Sequence, residues 1–222
     1  MIDILYEDNH LIAINKKSGD LVQGDKTGDK PLSEFIKEYL KEKYQKPGNI
    51  FCGVMHRIDR PVSGVIIFAK TSKALTRMNE LFKNKRIRKT YWAIVENAPK
   101  NKSGTLEHYL IKNQQKNKSR AYLKPHKGAL KSILEYKTLK SLKDYTLLEI
   151  SPITGRHHQI RVQLSTIGSI IKGDLKYGAK RSNKDGSICL HAQNIKFIHP
   201  VKKEPIEICA PLPKDALWNA CF

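Results

Sequence analysis

Apolar residues run unbroken from Val65 to Ala69 (VIIFA). Such a run fits a β-strand covered on both faces better than a half-exposed one, which would alternate. An earlier apolar stretch, residues 11–15 (LIAIN), predicts another strand, ended by the polar turn Lys16-Lys17-Ser18-Gly19. Between the two, Leu32, Phe35, Ile36, Tyr39 and Leu40 recur at three- and four-residue spacing. That period predicts a helix over 31–46 with one apolar face, Pro31 in its first turn and Pro47-Gly48 stopping it. A second helix is predicted over 72–84, with Leu75, Met78, Leu81 and Phe82 facing inward. From residue 90 onward the pattern changes to short β-branched and aromatic runs: TYWAIVE, 132–138, 145–150, NIKFI and PIEICA. ALWNACF reads as a short closing helix. Helices come early and strands dominate later, which predicts an α+β fold rather than a doubly wound sheet.

Length and composition narrow the class. The 222 residues are long enough for a substantial core and are read as a single domain spanning 1–222. No apolar run approaches the length needed to span a bilayer, and MIDILYEDNH lacks the basic-then-apolar pattern of a signal peptide. Cys52, Cys189, Cys209 and Cys221 are scattered, with no metal-ligand spacing, as in a reduced cytoplasmic protein. The charge changes the picture most. Forty-one Lys+Arg against 21 Asp+Glu leave a net +20, which points to a polyanionic partner, most often nucleic acid. A membrane surface would call for a basic amphipathic helix or a lipidation signal, and the sequence has neither. Residues 112–131 carry six lysines, one arginine and no acid, with Tyr122 and His126 interleaved. A solvated loop and a contact for single-stranded or looped RNA both fit that stretch.

The candidate chemistry lies at the mouth of the predicted core strand, in MHRIDRPVSG, residues 55–64. Asp59 is its only carboxylate, with His56 upstream and Arg57 and Arg60 on either side. Flanking guanidinium groups favour the ionised form of such a carboxylate. Asp59 is therefore a candidate nucleophile or base on a loop feeding a buried strand.

Further segments join this one: Tyr6–Lys16 (YEDNHLIAINK), Arg88–Val95 (RKTYWAIV), Thr154–Arg161 (TGRHHQIR) with Gly173–Gly178 (GDLKYG), and Leu190–Ala192 (LHA). Together with HRIDRPVSG they resemble, in order and over nearly the whole chain, the RluA-type pseudouridine synthases. The resemblance implies an α+β pseudouridine synthase fold with a long mixed sheet, flanking helices and a central active-site cleft. It implies isomerisation of uridine to pseudouridine in RNA, ribosomal or transfer, with no metal and no organic cofactor. By the same resemblance Asp59 is the catalytic aspartate and Arg57 the arginine that fills the gap left by a flipped base. Tyr91 stacks on the target uracil, Arg156 pairs with the aspartate, and Leu190 lines the base pocket. The expectation is a monomer in the cytoplasm that begins directly at the catalytic domain, without the S4-type RNA-binding domain of some relatives.

The sequence departs from the family pattern at Lys17 (often proline), Ile58 (commonly leucine), Val62 (often threonine) and His157 (usually a small hydroxyl residue). Read by itself, Tyr91 also fits ordinary strand packing, Arg156 and Arg161 fit simple phosphate binders, and His157 fits either a residue that alters the surroundings of the catalytic set or a surface histidine. A non-catalytic RNA-binding or assembly factor on the same scaffold is the alternative function. An intact set of Asp59, Tyr91 and Arg156 weighs against it. A metal-dependent nuclease would need clustered carboxylates, and a kinase loop would need a Gly-rich loop and Asp-Phe-Gly.

Overall fold

In the computed structural model, which describes residues 2–24 and 27–222, the chain divides into two compact units. The first runs to Arg88 and takes up Ala192–Leu212; the second comprises Lys89–His191 and Pro213–Phe222. Eleven strands and four α-helices among the described residues make an α+β protein, as predicted.

The first unit is built on β1 (Ile4–Glu7), β2 (Leu11–Lys16), β3 (Gly53–Val54) and β4 (Ser63–Ala69), with β10 (Leu190–Ile198) from Ala192 onward and β11 (Pro205–Cys209) arriving from far along the chain. The order is β1-β2-β4-β10, with β3 added to β4 and β11 to β10. β2 and β4 are covered on both faces: Leu11, Ile12, Ala13, Ile66, Ile67 and Phe68 have no exposed surface. This is the environment that an unbroken apolar run requires. Their antiparallel register, Leu11↔Ala69 through Lys16↔Gly64, sets the last residue of β2 beside the start of the HRIDRPVSG strand.

Helix α1 (Leu32–Tyr44) buries Leu32, Ile36 and Leu40, starts one residue after Pro31 and ends at Gln45 in the left-handed region at φ 46°. Phe35 departs from the predicted face. It is 43% exposed, under the Lys30 ammonium at 4.6 Å from its ring centre. Tyr39 lies at the edge of that face, its hydroxyl donating to Glu7 at 2.8 Å. Helix α2 (Ser72–Lys83) is capped by Thr71, whose hydroxyl accepts from Ala74 N–H at 3.1 Å, and it buries Met78 completely.

The second unit is an antiparallel array in the order β5-β9-β8-β6-β7: β5 (Arg88–Val95), β6 (Ser103–Asn113), β7 (Lys118–Tyr122), β8 (Leu130–Ser141) and β9 (Thr146–Pro152). The basic segment 112–131 is therefore not a plain loop. It contains β7, which pairs with β6 from Tyr109↔Tyr122 to Asn113↔Lys118. Helix α3 (Gln159–Thr166) and the 3-10 turn Leu175–Tyr177 pack on this arm through Leu110, Ala121, Val162 and Tyr177. Helix α4 (Ala216–Ala220), capped by the Asp215 carboxylate, closes the chain as predicted.

Candidate active site

In the first unit the Asp59 turn is held from beneath by β2. Lys16 has no exposed surface, and a buried ammonium must be satisfied by acceptors. Its Nζ donates to the carbonyls of Lys17 and Arg60 at 2.9 Å each and of Val62 at 2.7 Å. Burial pushes its pKa down to about 8, while the carboxylates of Asp20 and Asp59 pull it upward. The neighbouring turn adds the Gly19 N–H on the Arg60 carbonyl at 2.9 Å and the Ser18 hydroxyl on the Pro61 carbonyl at 3.2 Å. Asp59 itself opens a β-turn, its carbonyl accepting from Val62 N–H at 3.0 Å. Ile58 and Val62 are buried and anchor the loop, while Asp59 is half-buried and Arg57 exposed.

Two neighbours of Asp59 have other work. The Arg60 guanidinium donates to the Gly19 carbonyl at 3.0 Å and to Asp29 at 2.7 Å, so it ties down the loop. His56 Nε2 accepts from Ile67 N–H at 3.0 Å, and its ring lies 5.0 Å from that of Phe82. Gly64 is required twice over. Its φ is +115°, and a Cβ would fall 2.2 Å from the Ala192 carbonyl oxygen. Lys16, which holds this turn, is missed by the sequence reading, because a lysine that ends a strand reads as part of a polar turn.

In the second unit, alternation along β5 puts Lys89 and Tyr91 on one face and Trp92 on the other, where it meets the Phe222 ring at 4.8 Å. Tyr91 is half-buried and paired across the strand with Ile150. The Lys89 ammonium lies 3.5 Å from where a Cβ on Gly155 would be, and burial lowers its pKa. It therefore adjoins the Thr154-Gly155-Arg156 turn, from the face that Tyr91 shares. Gln159 shapes that turn: its Oε1 accepts from the Thr154 hydroxyl at 2.7 Å and from Arg156 N–H at 3.0 Å, and its amide donates to the Ile133 carbonyl at 3.0 Å. Arg156 is exposed beyond it. Leu190 is buried, directly after Cys189, whose carbonyl accepts from Ile94 N–H at 2.9 Å.

Arg161 and His157 differ from expectation. The Arg161 guanidinium is buried in a two-pronged pair with Asp174, at 2.7 and 2.8 Å, and is taken up there instead of holding phosphate. His157 is half-buried rather than at the surface: Nδ1 lies 2.8 Å from the Ser119 hydroxyl, Nε2 lies 3.1 Å from Asn117 Oδ1, and the ring stacks on His158 at 3.7 Å.

The first unit thus presents a carboxylate on a rigid turn with a buried ammonium below it. The second presents a ring and two cations, Lys89 and Arg156. Among the described residues, no group of three or more His, Cys, Asp or Glu is placed to hold a metal ion. Against known proteins, residues 10–166 match the family model described as RNA pseudouridylate synthase. The chain is 37% identical over 219 residues to ribosomal large subunit pseudouridine synthase C of Buchnera aphidicola, covering 96% of this chain and 68% of that protein. It is 30% identical over 237 residues to tRNA pseudouridine synthase C of Vibrio cholerae, covering 99% and 93%. The fold superimposes on human RNA pseudouridylate synthase domain containing 4 with a TM-score of 0.79 at 24% identity, over 96% of this chain and 89% of that one. The chain spans about two thirds of the length of the ribosomal relatives it matches, 68% of the Buchnera protein and 65% of one from Vibrio vulnificus. With a family model matched over most of its length and relatives above 30% identity, the chain belongs to the RNA pseudouridylate synthase family, in its RluA-type branch.

Proposed function

We propose that this protein isomerises uridine to pseudouridine within structured RNA, ribosomal or transfer RNA, with residues 1–222 working as one catalytic domain. The observation that carries the reading is Asp59: the carboxylate of the family's motif, half-buried on a turn that Lys16 clamps through three carbonyls. The reaction breaks the bond between uracil N1 and ribose C1′, turns the ring, and rejoins it through C5 with loss of the C5 proton. A carboxylate serves this either by attacking C1′ or by removing the C2′ proton, and each route needs it ionised and aimed. The fixed turn supplies the aim.

The other residues act on the RNA. A uridine in folded RNA must leave its stack, at a cost of a few kcal/mol. The exposed Arg57 guanidinium, planar and always charged, fills the vacancy. Tyr91 offers the extruded uracil a stacking face worth about 1–3 kcal/mol. Arg156 supplies a guanidinium and Leu190 an apolar wall for the base. No metal and no organic cofactor is invoked, and the protein acts as a cytoplasmic monomer. The similarity to synthases named for ribosomal and for transfer RNA keeps both substrate classes within the proposal.

The test is Asp59→Asn, assayed by tritium release from RNA labelled at uracil C5. The substitution keeps the shape and removes the charge and basicity. Turnover is expected to vanish while RNA affinity changes little. Multiple turnover by the Asn variant would refute Asp59 as the catalytic group, and RNA binding by wild type without any release would favour the non-catalytic RNA-binding alternative.

A further inference from the structure

We infer that the β6–β7 arm carries a stacking site for an unpaired nucleotide, built on Tyr122 and His126, which reads RNA beside the modified uridine. This rests on the proposed action on RNA and adds a second contact to it. Tyr122 ends β7. Its ring lies 4.0 Å from that of His126 with only 11° between their planes, and the Arg120 guanidinium is 5.0 Å from its centre. A turn sets the second ring in place. The His126 carbonyl accepts from Ala129 N–H at 3.0 Å, and Gly128 takes the positive φ of +77° that this turn needs. His126 is exposed, so the two-ring stack ends at the surface. Beside it Leu123 is 77% exposed, an unusual outlay of apolar surface on so charged an arm.

The chemistry selects the ligand. Six lysines and Arg120, with no acid between 112 and 131, attract a polyanion. Flat rings and an exposed leucine add a surface that charge alone does not need, and that a nucleobase covers well. Paired bases have both faces occupied, so the ligand is a base outside a helix. The arm is also firmly tied to the Arg156 turn. Buried Ser119, three residues before Tyr122, donates its N–H to the Tyr177 hydroxyl at 2.8 Å and its own hydroxyl to the carbonyl of His157, next to Arg156, at 2.7 Å. A nucleotide stacked at His126 is therefore held in fixed register with Arg156. That makes the site a determinant of which uridine is chosen.

The experiment uses the full chain and a short unstructured RNA carrying 2-aminopurine, alone and annealed to its complement. Binding and fluorescence quenching are measured over a salt series at pH 8 for wild type, His126→Ala, Tyr122→Ala/His126→Ala and His126→Phe. The double variant is expected to bind the single strand about tenfold more weakly or worse, with less quenching and an unchanged salt slope. The duplex should be unaffected, and His126→Phe should retain wild-type binding. If the double variant loses its circular dichroism signature, His126→Ala, an exposed position, decides by itself. Equal single-strand affinity in the Ala variants, equal loss on single strand and duplex, or binding of polyglutamate lost in parallel would each overturn the site. The last outcome would point to an acidic protein partner. Tritium release by wild type is scored separately. Release without any preference for single strands refutes this site alone, whereas single-strand stacking without release refutes the isomerase reading alone.

Discussion

At the residue scale the chemistry turns on how single groups are held. Tyr91 is half-buried on the face of β5 that also carries Lys89. Tyr91→Phe keeps the stacking ring, and Tyr91→Ala removes it. If stacking positions the base, Ala weakens binding of the flipped uridine by about 1–3 kcal/mol and Phe does not. If the hydroxyl takes part in proton removal from C5, Phe binds normally and stalls. Wild-type rates in single-turnover assays of both variants would put Tyr91 outside the chemistry. Lys16 makes a different prediction. Lys16→Met leaves three carbonyls without their donor, at about 1 kcal/mol or more for each. Both melting temperature and turnover should fall. There is also a pH signature. Burial lowers the Lys16 pKa from 10.5 to about 8, so between those values the unfolded chain holds the extra proton. The stability contributed by this group is therefore greatest above 10.5 and is lost as pH falls to about 8. Urea unfolding of both proteins from pH 7 to 11 should show that slope in wild type and its absence in Lys16→Met. Parallel pH curves would mean that the lysine keeps its ordinary pKa.

At the scale of elements, the motif strand β4 depends on a close backbone approach. Gly64→Ala puts a methyl group 2.2 Å from the Ala192 carbonyl oxygen at a φ of +115°. Since the obstacle is backbone, the strand must shift, and a loss of about 3 kcal/mol or more is expected. A urea midpoint equal to wild type would show that β10 yields freely. Strands β2, β4, β5 and β8 to β11 and both early helices were legible as apolar runs, since burial on one face or two leaves its pattern in the residues themselves. The short β1 and β3 and the β6–β7 arm were not. Lys118–Tyr122 has little apolar alternation, and it becomes a strand because β6 offers a paired edge and Tyr177 a hydroxyl for Ser119. Phe35 failed in the opposite sense: its spacing is helical, yet it lies at the rim of α1 beneath Lys30.

At the scale of the whole molecule the net charge of +20 governs association. Each Lys or Arg that meets a phosphate releases counterions, so log affinity falls linearly with log salt, by about 0.7 per contact on single strands. Changing Lys116, Lys118, Arg120 and Lys124 together to Gln is expected to flatten that slope, by up to about 3 if all four meet phosphate. A salt titration of both proteins on one RNA checks it. An unchanged slope would mean that these charges only solvate the arm, and would direct attention to the basic run at 83–89.

Taken by itself, the sequence determined the class of fold, the strand at β2, the two-sided burial of β4, the basic character, and the motif positions Asp59, Tyr91 and Arg156. These are properties of a residue and its near neighbours, and a short window contains them. The tertiary structure alone decided partnerships. Arg60 reaches Asp29 and Gly19, Arg161 is taken by Asp174, and Lys16 finds carbonyls 44 and 46 residues away. The physical reason is that a charge carries no address. Which opposite charge or carbonyl it meets is set by strand register and chain closure, and these arise only when distant segments pack.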